Sequence, residues 1–107
     1  ERAKAYFDTA DYSLAVGDYT QALRVEREHN LAQFGLTQAN LINRGMSYHE
    51  LGIYEEAIQD YSEALTLSPN SARTYYLRAL SYQKINEPEL AESDFATAHG
   101  LGLQTQK

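Results

Sequence analysis

Apolar positions along this chain recur at three- and four-residue steps and do not alternate. Ala57, Ile58, Tyr61, Ala64 and Leu65 fall on one face of a helix, with Glu55, Glu56, Gln59 and Glu63 between them. The same spacing elsewhere predicts helices over about 3–15, 18–34, 38–51, 54–67, 72–85 and 88–99. Punctuation between them is local. Gly17 and Gly52 stand where a helix exits through a left-handed residue, and Asp18 follows Gly17 as a candidate N-cap. Gly35 is placed to stop the second helix near Phe34. Glu87-Pro88 opens the last helix, because a proline at the first helical position gives up no hydrogen bond. Ser68-Pro69-Asn70-Ser71 ends one helix and caps the next.

The pattern repeats with a period of 34 residues. Gly45 is echoed by Ala79, Tyr48 by Tyr82, Ala57 by Ala91, Tyr61 by Phe95, and Ala64 by Ala98. Small side chains let neighbouring helices approach, and the aromatic rings fill the space that results. A helical hairpin of this length cannot bury its apolar face alone, so such units stack on one another. The stripe is therefore core and not a cofactor box.

The middle unit reads Leu41, Gly45, Tyr48, Gly52, Tyr54, Ala57, Tyr61, Ala64 and Pro69. This resembles a tetratricopeptide repeat, whose signature mixes small residues, aromatics and a closing proline at these spacings. The third unit matches through Tyr75, Ala79, Tyr82, Ala91, Phe95 and Ala98, but has Asn86 and Pro88 where the second has Gly52 and Tyr54. The first unit fits through Tyr6, Ala10, Gly17, Tyr19, Ala22 and Leu23, then departs at Glu26 and His29. The resemblance implies an all-α superhelix (solenoid) of three stacked antiparallel hairpins. One domain would span residues 1–107, with repeats at about 3–36, 38–71 and 72–105 and the first degenerate. Arrays of that family usually finish with an extra covering helix. The chain stops soon after Gly100, so no C-terminal capping helix is expected, and Leu90, Leu101 and Leu103 are expected to be partly exposed.

In such arrays the first helix of each hairpin lines a concave face. The resemblance then places Phe7, Asp11, Ile42, Asn43, Met46, His49, Arg73, Tyr76, Leu77 and Leu80 in a groove. Ile42, Met46, Tyr76, Leu77 and Leu80 are apolar where the core stripe does not require it, which suggests a track for a peptide or helix. Family members that hold acidic C-terminal tails of heat-shock chaperones clamp two carboxylates with Lys, Asn and Arg side chains. Asn43 and Arg73 match two clamp places, but Phe7, Asp11 and Leu77 occupy the others and cannot donate to a carboxylate. The clamp is incomplete, and chaperone-tail binding is not expected.

Composition narrows the picture further. A net charge of −6 over 107 residues argues against a nucleic-acid partner, which needs a basic face. Residues 38–71 set Arg44 against Glu50, Glu55, Glu56, Asp60 and Glu63. Most acids fall early in the second helices and read as a solvated outer face, while Glu50 falls among the concave-face positions of a first helix. With no cysteine there is no disulfide framework and no thiolate metal site, which fits a reducing, cytoplasmic setting. No apolar run has the length of a membrane span, so this segment is not expected to insert into a membrane. The chain opens at Glu1, as an excised piece of a longer protein would. His29, His49 and His99 lie too far apart for a helical zinc site, no glycine-rich phosphate loop exists, and Ser47 and Ser62 lack a visible base. The expectation is a non-enzymatic scaffold without metal or cofactor, binding a peptide or helix of a partner protein in its groove. The alternative is a structural module that self-assembles, as a homo-oligomer or on further repeats, through its uncovered C-terminal hairpin.

Overall fold

Helices make up every regular element among the described residues, 9–28 and 34–102, of the computed structural model. They are α1 (Thr9–Glu28), α2 (Phe34–Glu50), α3 (Tyr54–Leu67), α4 (Ala72–Lys84) and α5 (Pro88–Gly100). Helices α2 and α3 form one antiparallel hairpin and α4 and α5 the next, stacked through α3 against α4, while α1 packs on α2.

The two hairpins close in the same way. Gly52 takes φ +81°, and the Ile53 N–H donates to the Tyr48 carbonyl at 2.8 Å. Thirty-four residues on, Asn86 takes φ +63° and the Glu87 N–H donates to the Tyr82 carbonyl at 2.9 Å. Asparagine is among the few side chains that tolerate this left-handed conformation, so the replacement of Gly52 by Asn86 leaves the turn intact. Ser71 caps α4, its hydroxyl accepting from the Thr74 N–H, and Pro88 stands in the first turn of α5.

The first unit differs from the sequence expectation. Helix α1 runs unbroken through Gly17 and Asp18, and Gly17 shows no positive φ. A single glycine costs only about 1 kcal/mol relative to alanine inside a helix, too little to end one that has a neighbour to pack against. Gly35 likewise lies in the first turn of α2 and stops nothing. Tyr6, His29 and Leu103 fall outside the described residues.

At the centre lie Leu23, Leu41, Ile42, Ala57, Tyr61 and Ala64, with Met46, Tyr48, Leu67 and Leu77 packed against them. Ala79, Ala91 and Ala98 are equally buried in the last hairpin. Gly45 shows why a small residue is needed: a Cβ there would lie 2.7 Å from Cε1 of the Tyr61 ring. Tyr48 and Tyr82 are half-buried, with the guanidinium of Arg44 or Arg78 over the ring at 5.7 and 5.6 Å respectively.

Not all the acids form a solvated face. Glu55, Glu56 and Glu63 are exposed, but Asp60 and Asp94 are 3% and 5% exposed. Arg44 holds Asp60 through two hydrogen bonds, of 2.8 Å from Nε and 2.7 Å from a terminal nitrogen, and its other terminal nitrogen donates to Thr20 on α1. Arg78 repeats this with Asp94, at 2.7 and 2.8 Å, and with Ser62 on α3. Each arginine therefore ties the two helices of its hairpin to the helix before them. The hydrogen bonds it donates to Asp60 hold the Arg44 guanidinium above its ordinary value, against burial. Burial pushes the Asp60 carboxyl upward while Arg44 restrains it. Buried pairs of this kind are costly to break from one side, because the partner left behind is an uncompensated charge. Glu26 is 7% exposed and accepts from Thr37 and Asn40 of α2, which explains its survival where the repeat has an aromatic.

Candidate functional site

Four helices line an open cavity of about 370 Å³. Helix α1 contributes Tyr12 and Tyr19, seven residues apart and so on one face. Helix α2 supplies Asn43, Met46, Ser47, His49 and Glu50, and α4 supplies Leu77 and Leu80. Tyr61 of α3 completes the lining, held there by the close approach that Gly45 permits.

Of the ten groove candidates read from the sequence, Asn43, Met46, His49, Leu77 and Leu80 meet in this cavity. Ile42 and Arg73 instead border a shallower one of about 200 Å³, which Asn43 also reaches. Ile42 is 8% exposed and belongs to the core, a correction to its reading as a side chain the core does not need. Met46 and Leu77 serve both the core surface and the cavity wall. Tyr76 turns its ring toward Phe95, with centroids 5.5 Å apart, and lines neither cavity. Asp11 is exposed on α1 and Phe7 lies outside the described residues.

The polar groups of the cavity are unequally satisfied. His49 Nδ1 pairs with the buried Ser81 hydroxyl at 2.8 Å, and the imidazole meets Tyr54 edge-on at 5.0 Å. Burial lowers the His49 pKa from 6.5, Glu50 opposes that shift and Lys84 adds to it. The ring is therefore neutral at pH 7. Burial also raises the Tyr61 phenol well above 10, with Asp60 adding to the shift, so it stays protonated. Tyr61 is 1% exposed and its hydroxyl has no hydrogen-bond partner among the described residues. The Ser47 hydroxyl, also buried, has none either. Arg73 sits at the rim, a terminal nitrogen 3.6 Å from Met46 Sδ.

Sequence reasoning overlooked Tyr12, Tyr19, Ser47 and Tyr61. Splitting the first unit at Gly17 put Tyr12 and Tyr19 on different helices, which hid their common face. Ser47 recurs as the buried Ser81 at the repeat period, a signal that was present. Among the described residues no three His, Asp or Glu side chains gather to hold a metal ion, and no helix is long and apolar enough to cross a membrane.

Residues 45–86, spanning the turn of the α2–α3 hairpin and all of α4, match the family model described as TPR repeat. Over this stretch the chain matches the tetratricopeptide repeat. Similar proteins include the DnaJ homolog subfamily C member 7 homolog of Dictyostelium discoideum, 29% identical over 90% of this chain and 17% of that protein. The mitochondrial import receptor subunit TOM70 of Homo sapiens is 26% identical over 99% of this chain and 17% of its own length. Tetratricopeptide repeat protein 6 of Homo sapiens is 39% identical over 51% of this chain and 11% of its own length. The chain thus spans about a sixth, 17%, of the first two. In fold, it is similar to a mutant MamA structure, with a TM-score of 0.62 at 23% identity over 87% of this chain and 74% of that one. A second MamA structure gives 0.60 at 24% over 92% and 60%.

Proposed function

We propose that this tetratricopeptide-repeat domain is a non-enzymatic scaffold that receives a peptide or helix of a partner protein in the cavity between α1, α2 and α4. The observation that carries the reading is the cavity itself. Apolar walls from Met46, Leu77 and Leu80 stand beside hydrogen-bonding groups on Asn43, Ser47 and Tyr61, the mixture that side-chain recognition requires. TOM70, a relative along nearly the whole chain, is by name an import receptor subunit, which fits a binding role. A cytoplasmic setting, suggested by the absence of cysteine, is part of this proposal.

Changing Met46→Glu and Leu80→Glu together tests it. Circular dichroism should show retained helicity, while capture of the partner by the parent protein falls at least about tenfold, as expected for charges buried against an apolar ligand. Unchanged capture would reject the groove.

A second reading, self-assembly, draws on the last hairpin. Leu90 and Leu101 are 47% and 40% exposed there, and the same hairpin carries a cavity of about 310 Å³ bordered by Gln83, Pro88 and Phe95. Light scattering over a concentration series separates the two, since a persistent monomer rejects self-assembly.

A further inference from the structure

Resting on the peptide-groove reading, we propose that the α1–α2–α4 cavity takes a basic side chain, Lys or Arg, of the bound segment, with Glu50 and the Tyr61 hydroxyl as its receivers. Three observations converge. First, at about 370 Å³ the space is near the lower limit of small-ligand sites, a size suited to one long side chain. Its lining includes three tyrosines, Tyr12, Tyr19 and Tyr61, whose ring faces attract a cation and whose bodies accept an aliphatic stem.

Second, among the described residues Glu50 is the only carboxylate in the lining, which includes neither Lys nor Arg of that set. Glu50 has no ion-pair partner among the described residues, and the chain as a whole carries −6. Arg73 and Lys84 flank the rim: Arg73 rests on Met46 Sδ, and Lys84 acts on His49 from α4. Glu50 is itself exposed, so an incoming side chain can reach it.

Third, the Tyr61 hydroxyl is buried without a hydrogen-bond partner among the described residues, and such groups ordinarily carry an explanation. Its repeat counterpart is Phe95, so the hairpin packs without a hydroxyl at this place. Tyr61 lines the groove cavity together with Glu50 of α2 and Leu77 and Leu80 of α4. Lysine and arginine bring several donors and no acceptor, matching a carboxylate and a hydroxyl free to accept. An acidic side chain would meet Glu50 with like charge.

Titration by NMR with short synthetic peptides tests this. Their central residue is arginine, citrulline (its uncharged isostere) or glutamate, flanked by leucines. The arginine peptide should shift the amides of Gly45, Ser47 and Glu50 and saturate, with the other two at least about tenfold weaker, the scale of one charge-assisted contact. In Glu50→Gln the arginine peptide should fall to the citrulline level. Tyr61→Phe should keep or raise the melting temperature while weakening the arginine peptide several-fold. Equal binding of all three peptides would overturn the basic-side-chain inference and leave the groove reading standing. If none moved those amides, both would fall. A lower melting temperature in Tyr61→Phe would show the hydroxyl already satisfied within the fold and remove it from the site.

Discussion

At matched places 34 residues apart, hairpin α2–α3 carries Gly45, His49, Ile58, Tyr61 and Leu65 where α4–α5 carries Ala79, Gln83, Glu92, Phe95 and His99. Other matched places are unchanged: Arg44 and Arg78, Asp60 and Asp94, Tyr48 and Tyr82, Ala57 and Ala91. The retained set binds one helix of a hairpin to the other. The altered set includes side chains that face the next unit. Ser62 bonds to Arg78 of α4, and Ile58 and Leu65 lie on the same helical face, half-buried and buried. Their counterparts on α5, Glu92, Ala96 and His99, are all exposed. Each hairpin thus closes by the same contacts, while its outer surface is set by what lies beside it.

The largest test of that contrast is truncation of the paired rings. Tyr61→Ala should destabilise by about 3–5 kcal/mol, as for large aromatic truncations in a core. Phe95→Ala, at a half-buried ring, should cost less than half of this by urea denaturation. Equal losses would mean that stacking of α4 on α3 does not bury Tyr61 preferentially.

A smaller effect comes from the residue beneath the ring. In Gly45→Ala the added methyl would lie 2.7, 3.0 and 3.1 Å from three Tyr61 ring atoms. At these distances the ring must shift from its packed position, so the change should cost about 1–3 kcal/mol even though alanine is the better helix former. Combining it with Tyr61→Phe should not restore stability, since the ring carbons are what it meets. A stabilising Gly45→Ala would show that the two hairpins have interchangeable interiors.

The smallest effect is protonic. His49 is held below pKa 6.5 in the folded protein chiefly by burial, so the unfolded chain binds the proton more readily. Stability contributed by the neutral ring is complete above about pH 6.5 and declines as pH falls toward the folded-state value. His49→Gln, which copies Gln83 of the other hairpin, should flatten that part of the stability–pH curve. An unchanged slope between wild type and variant would show that His49 is not the group responsible.

The hairpin turns, the α3 limits at 54 and 67, and the small-against-large pairs were legible in the sequence because they depend on residues within a few positions of each other. The Arg44–Asp60 and Arg78–Asp94 pairs also carried a visible signal, the same 34-residue period, but their charges resembled those of an outer face. Half of the candidate site was legible through helix register. Tyr12 and Tyr19 required α1 to be continuous, since only then do they share a face.

The sequence alone determined that this chain is helical, paired and repeated, because helix propensity, capping and the 34-residue echo are properties of neighbours along the chain. Only the tertiary structure decided which acids are buried, that Ile42 belongs to the core, and that Tyr61 borders a cavity. Those outcomes depend on which helix crosses which and at what depth, and a side chain's burial is fixed by partners that may be 16 or 24 positions away, as Asp60 and Thr20 are from Arg44.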